Sequence, residues 1–248
     1  LYATTPGIVI FTATASEVLY MPILFLTLYL FEKSINKNSF LHICIAGFSF
    51  AVLTFFKFTL LSIAIYFLVR GILHLISQKG ILFSLAKLAF FMFVSFIGFY
   101  LVLHLFTGYK PLEVFFQAYS LFRRDMREIE TISPRYSIWW FKVFNTWAWL
   151  YYAGIAISTG FVASIFKKDS WKNPVFYLPF FTFLILNLAY IAPGEGERSS
   201  LYIYPFILLQ ALIFWNKNLT NSPPLFSSIL IFQIVQSVLT ECLFYTYW

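Results

Sequence analysis

Residues 191–206 read Ile191-Ala192-Pro193-Gly194-Glu195-Gly196-Glu197-Arg198-Ser199-Ser200-Leu201-Tyr202-Ile203-Tyr204-Pro205-Phe206. Glu195, Glu197 and Arg198 crowd together between two long apolar runs. Charges this close to hydrocarbon are costly unless they pair or face water, which makes them functional suspects. Gly194 and Gly196 let the backbone turn tightly, and Pro205 marks a break or kink in the following segment. Two readings stay open at this point: a polar hairpin joining two membrane helices, or a site built at membrane depth.

The flanking runs are typical of the chain. Of its 248 residues 60% are hydrophobic and 23% aromatic, and the mean hydropathy is +0.80. Only 11% are charged, against about 25% in an average soluble domain. A soluble fold of this size has no interior large enough for that much apolar surface, so the sequence implies an all-α, polytopic transmembrane bundle. The 33 Phe and 16 Tyr suit lipid-facing helices with aromatic belts at the interfaces. The net charge of +7 is spread through loops, with no basic tract of the kind that binds nucleic acid. Cys44 and Cys242 fall inside apolar runs, which argues against a disulfide or a metal site. The chain starts Leu1-Tyr2-Ala3-Thr4 at the edge of a hydrophobic segment, so residues 1–248 are expected to be the C-terminal portion of a larger protein.

Apolar length and polar interruption predict about eight spans, near 7–31, 40–56, 58–76, 81–106, 141–165, 175–192, 200–215 and 224–247. The second and third are separated only by Lys57 and read as a tight helical hairpin. By parity, the connections at 32–39, 77–80, 167–174 and 216–223 share one side. The opposite side receives Glu17, Lys57, the 107–140 segment, the 191–199 turn and Glu241. Basic residues divide almost evenly between the two sides, so the positive-inside rule is nearly silent. Acidic residues do not: Glu32 and Asp169 fall on the first side and the rest on the second. The first side therefore reads as cytoplasmic, the second as the face where chemistry sits. The Asn218-Leu219-Thr220 sequon falls on the cytoplasmic side and is expected to be unused.

Within 107–140, Phe115, Tyr119, Phe122, Met126 and Ile129 recur at helical spacing, and no apolar run is long enough to span. The spacing predicts an extracytoplasmic helix over 112–130 lying in the interface, apolar face down. Ser133-Pro134-Arg135-Tyr136 breaks it, and Trp139, Trp140, Trp147 and Trp149 anchor the next span. Arg123, Arg124, Arg127 and Arg135 are either a solvated face with internal ion pairs or a basic shelf for an anionic lipid headgroup.

Soluble-enzyme signatures are absent: no phosphate-binding glycine loop, no paired Cys-x-x-Cys, no His-Glu-x-x-His. His42, His74 and His104 are isolated in or beside apolar runs and are expected to be packed or interfacial rather than ligands. Glu241 deep in the last span is as readily paired or protonated as functional. Lys57, in Ala51-Val52-Leu53-Thr54-Phe55-Phe56-Lys57, either snorkels to the interface or serves a ligand. A lysine and an arginine at one membrane depth are suited to phosphate, as point charge and bidentate fork respectively.

Three stretches resemble the GT-C superfamily of membrane glycosyltransferases, which includes protein mannosyltransferases and aminoarabinose transferases. Gly194 to Pro205 is similar to that family's G-E-x-E-R-x-x-L-x-x-x-P segment. Pro6 to Phe11 and on to Glu17 resembles its P-x-x-x-x-F…D loop, with Glu in place of the more usual Asp. Gly47 to Lys57 resembles its G-x-x-x-G-x-x-x-x-x-K hairpin, with Ala51 in place of the second glycine. The resemblance implies transfer of a sugar from a polyprenyl-phosphate donor to a lipid, glycan or protein acceptor on the extracytoplasmic side. It implies Lys57 and Arg198 as phosphate contacts, with Arg135 as a weaker third. Glu195, Glu197 and Glu17 would orient the arginine or bind hydroxyls. The family's catalytic carboxylate lies in a loop that no segment here matches, so the general base is expected in a preceding part of the protein. No metal or other cofactor is needed where cationic side chains offset the phosphate charge. The setting would be a bacterial or archaeal cell membrane, or the endoplasmic reticulum. The alternative from a different class is a non-enzymatic protein that binds lipid or translocates a lipid-linked saccharide, and a third is a purely structural membrane subunit.

Overall fold

The computed structural model describes residues 5–6, 20–78, 80–132, 138–172, 176–177, 181, 201–221 and 223–244, and every regular element among them is helical. The chain divides into two units, Tyr20–Ser137 and Leu1–Leu19 with Ile138–Trp248.

In the first unit, α1 (Met21–Lys37) opens with Pro22 in its first turn, where no backbone donor is required. It ends where Asn38 adopts the left-handed conformation at φ 48° and Ser39 N–H bonds back to the Ser34 carbonyl at 3.1 Å. Helix α2 (Phe40–Phe56) lies between α1 and α4 (Leu82–Thr107). Polar ties fix both seams inside an otherwise apolar bundle. Thr27 Oγ1 donates to Ser49 Oγ at 2.9 Å, and Ser95 Oγ to the Cys44 carbonyl at 2.7 Å. Gly47 brings the α4 backbone closest: a Cβ there would stand 2.4 Å from the Met92 carbonyl oxygen.

Lys57 breaks the chain after α2, as the sequence implies, but no continuous helix follows it. A 3₁₀ segment, Phe58–Ile63, leads into α3 (Ala64–Ser77). The expected tight hairpin is therefore splayed, because α2 spends its packing faces on α1 and α4. Helix α4 ends at Gly108, whose φ of 70° favours glycine. Helix α5 (Pro111–Ile132) covers the predicted 112–130 stretch, with Lys110 Nζ bonded to Glu113 Oε1 at 2.7 Å beside its first turn.

In the second unit the expected continuous span 141–165 is broken. Helices α6 (Ile138–Ala153) and α7 (Ile155–Ile165) meet at Gly154, φ 98°, with their axes bent by 116°. Apolar length concealed the break, since Gly154 sits in an unbroken hydrophobic run. Helices α8 (Tyr204–Asn221) and α9 (Pro223–Phe244) follow among the described residues. Helix α8 packs closely on α7, where a Cβ on Gly160 would stand 2.2 Å from Trp215 Nε1.

Among the described residues three helical stretches are long and apolar enough to cross a bilayer, Phe58–Ser77, Leu82–Thr107 and Pro224–Leu243, or four if the bent pair is one span. Phe40–Phe56 and Tyr204–Trp215 are apolar but shorter. The chain is thus a helical membrane protein. Of the eight predicted spans, 7–31 lies partly and 175–192 mostly outside the described residues.

Candidate functional site

Of the residues singled out in the sequence, Lys57 is described, whereas Glu17, Arg135, Glu195, Glu197 and Arg198 lie outside the described residues. Lys57 is half-buried and extended, at φ −157°. Its N–H bonds to the Leu53 carbonyl at 3.1 Å and its carbonyl accepts from Leu60 N–H at 3.1 Å. Both backbone groups are satisfied across the break, so the kink is a stable feature.

Aromatic rings surround this end of the first unit. Phe58 meets Phe115 of α5 edge-to-face at 5.4 Å, and Phe55 meets Tyr109 at 5.4 Å. Tyr100 stacks on Tyr109, and its hydroxyl shares a hydrogen bond with Thr54 Oγ1 at 2.9 Å. Burial pushes the Tyr109 phenol above its ordinary value, so it stays neutral at working pH. These contacts bring the start of α5 to the Lys57 end of the unit, as the parity argument requires for that pair. Phe56 and Phe116 remain largely exposed. Within α5, Arg123 lies over the Tyr119 ring at 5.9 Å.

One turn beyond Lys57, at Leu61, begins a groove of about 840 Å³. Leu61, Leu68 and Gly71 line it on one side, and Ala86, Ala89 and Phe93 on the other. Phe31 and Phe50 line it from α1 and α2. From Leu82 to Phe96 its α4 wall is roughly 21 Å long, at about 1.5 Å per residue. That exceeds the ~15 Å of hydrocarbon in one leaflet.

Behind this groove sits a cluster the sequence reading missed. Glu32 of α1 accepts from Tyr66 Oη at 2.6 Å and from Arg70 Nε at 3.0 and 3.1 Å. Glu32 was expected in a loop, yet α1 continues through it. Pairing lets the carboxylate remain on a helix beside apolar neighbours. The available signal was an arginine inside a predicted span with a tyrosine four residues earlier on the same helix face.

The second unit holds a polar seam that also went unread. Gln236 Oε1 accepts from Ile155 N–H at 2.9 Å, and Gln236 Nε2 donates to the Tyr151 carbonyl at 2.8 Å. One amide thereby bridges both sides of the helix break, the Tyr151 carbonyl also accepting from the Gly154 N–H at 3.0 Å. The Tyr151 hydroxyl shares a hydrogen bond with Thr240 Oγ1 at 2.8 Å. The inner angle of the elbow encloses about 450 Å³, lined by residues that include Trp147, Tyr151 and Ser158. Pro6, from the first family-like stretch, lies close enough to Gly154 that an added Cβ would stand 3.4 Å from its Cδ.

The three histidines sit at helix ends, His74 buried, His42 half-buried and His104 exposed. His42 Nδ1 shares a hydrogen bond with Ser39 Oγ at 2.6 Å, and His104 Nδ1 donates to the Tyr109 carbonyl at 3.0 Å. No group of three or more His, Cys, Asp or Glu side chains is arranged to hold a metal among the described residues. No known protein family, curated protein or solved structure matches the chain.

Proposed function

We propose that this chain belongs to an integral membrane glycosyltransferase that takes a sugar from a polyprenyl-phosphate carrier. The observation that carries the reading is the placement of Lys57, a cation at a helix break one turn from a long, wholly apolar groove. An amphiphile with an anionic head and a long hydrocarbon tail has the complementary shape and charge. The ammonium would meet the phosphate while the groove holds the chain.

In the reaction the acceptor hydroxyl gives its proton to a base and its oxygen bonds to the anomeric carbon. The bond from that carbon to the carrier phosphate breaks, and the phosphate keeps the electron pair. Negative charge grows on the leaving oxygen, where a preorganised cation stabilises the transition state more than the ground state. By the family resemblance Arg198 would share this work, Arg135 less so, with Glu17, Glu195 and Glu197 binding hydroxyls or orienting the arginine.

The test is sugar transfer by the full-length protein with a panel of polyprenyl-phosphate sugars. Release of the carrier phosphate together with glycosylated acceptor supports the reading, and donor binding without turnover sinks it. The second reading, a protein that translocates a lipid-linked saccharide, draws on the 116° break between α6 and α7, since broken helices line the binding sites of many transporters. It predicts movement of intact donor across a vesicle membrane with no transfer.

A further inference from the structure

We propose that Glu32, Tyr66 and Arg70 form a latch that holds α3 against α1 and off α4, and so keeps the groove between α3 and α4 open. The walls of that groove carry Ala64 and Gly71 on α3 and Ala86 and Ala89 on α4. Small residues on facing membrane helices let backbones come together, so these two helices have the surfaces for close packing. At Gly71 they stand apart: a Cβ there meets nothing within 4 Å. In a bilayer, lipid chains offer these walls the same dispersion contacts, so apolar packing alone sets no spacing between the two helices. A specific polar tie can then decide where α3 sits.

Such a tie joins α3 to α1. Tyr66 and Arg70 stand one turn apart on the same face of α3 and both bond to the Glu32 carboxylate. Phe67, in the same stretch, meets Phe31 at 4.4 Å and Phe50 at 5.2 Å. Ala64, Leu68 and Gly71 occupy the groove face. Hydrogen bonds to an ionised carboxylate are about twice as strong as neutral ones, and a low-dielectric setting strengthens them further. These are positioning residues, since none of the three lines the groove. The latch is a statement about helix spacing; only its consequence for transfer rests on reading the groove as the seat of the donor's hydrocarbon chain.

The experiment is disulfide cross-linking across the groove in lipid nanodiscs. Leu68→Cys and Ala89→Cys are introduced on a background in which Cys44 and Cys242 are replaced by Ala. With the latch intact, cross-linking is slow. In Arg70→Met it should accelerate at least tenfold as α3 moves onto α4, and in Tyr66→Phe, which keeps the ion pair, by a few-fold. The exchanged pair Glu32→Arg with Arg70→Glu should return it toward the starting rate. A purely structural role would lower the melting temperature and leave the cross-linking rate unchanged in the folded fraction, and that outcome overturns the latch. If Arg70→Met does not fold, an unchanged rate in Tyr66→Phe overturns it equally. A changed cross-linking rate with no donor binding in any variant would retain the latch and reject the donor reading.

Discussion

Arg70 reaches both carboxylate oxygens of Glu32 through one nitrogen, Nε, at 3.0 and 3.1 Å, although the two residues sit on helices of a strongly apolar bundle. The side chains are 19% and 31% exposed, so the pair is partly screened. Its stabilising effect falls between that of a surface pair and a fully buried one. Glu32→Gln keeps the shape and removes the charge, and should destabilise the protein by about 1–2 kcal/mol, the range of a charge-assisted hydrogen bond in a membrane bundle. Thermal unfolding in detergent measures it. An unchanged melting temperature would show that the pair has no net effect on stability.

Gly47 and Gly71 make a controlled comparison. Both are helical glycines, so replacement by Ala gains about 1 kcal/mol of helix propensity at either position. At Gly71 the new methyl enters open space, and the variant should be as stable as the parent or more so. At Gly47 it would stand 2.4 Å from the Met92 carbonyl oxygen, so α2 and α4 must separate along their seam. Gly47→Ala should therefore lower stability by about 1–3 kcal/mol, the usual cost of overpacking. Equal melting temperatures for the two variants would refute the close approach.

The elbow at Gly154 should depend on one side chain. Gln236→Leu preserves bulk but strips the partner from Ile155 N–H, while the Tyr151 carbonyl keeps the Gly154 N–H at 3.0 Å and loses only its second bond. The orphaned N–H costs about 1–3 kcal/mol, and at membrane depth no water stands ready to replace the amide. Gln236→Glu keeps both bonds when protonated, its O–H donating to the Tyr151 carbonyl, and loses the donor only when ionised, so the protonated form should stay close to the parent. Hydrogen exchange at Ile155 reads the effect locally, and unaltered protection in the leucine variant would refute the capping role.

Much of the layout was legible because apolar length is a one-dimensional signal. The boundaries of α2 and α4 and the break at Lys57 follow from where polar residues interrupt hydrophobic runs, and the helix expected over 112–130 follows from apolar residues at helical spacing. What failed shares one cause. Glu32 counts as a loop residue until Arg70 and Tyr66 come to it from a helix more than thirty residues away. Gly154 is invisible in a hydrophobic run because the group that makes its break tolerable, Gln236, lies on α9. A single sequence shows which residues are expensive in a membrane but not which partners offset the expense. The same applies to the splayed α2–α3 turn, since nothing local to Lys57 reports that both packing faces of α2 are already taken.

The prediction that bears most directly on function concerns Lys57. It sits at the turn between α2 and the 3₁₀ segment, half-buried, with its backbone satisfied on both sides. The melting temperature of each variant, read beside its kinetics, separates a folding effect from a catalytic one. If its ammonium meets the donor phosphate, Lys57→Ala removes a charge-assisted contact of roughly 1.5–3 kcal/mol, about 10- to 100-fold in rate where the contact strengthens in the transition state. Lys57→Arg keeps the charge but changes reach and geometry, and should rescue only in part. The pattern across kcat and KM separates the roles. A fall in kcat and kcat/KM together marks stabilisation of the departing phosphate, whereas a rise in KM alone marks uniform binding of the carrier. A lysine that merely snorkels to the interface would leave both constants near the parent values in the alanine variant, and that result would remove Lys57 from the site.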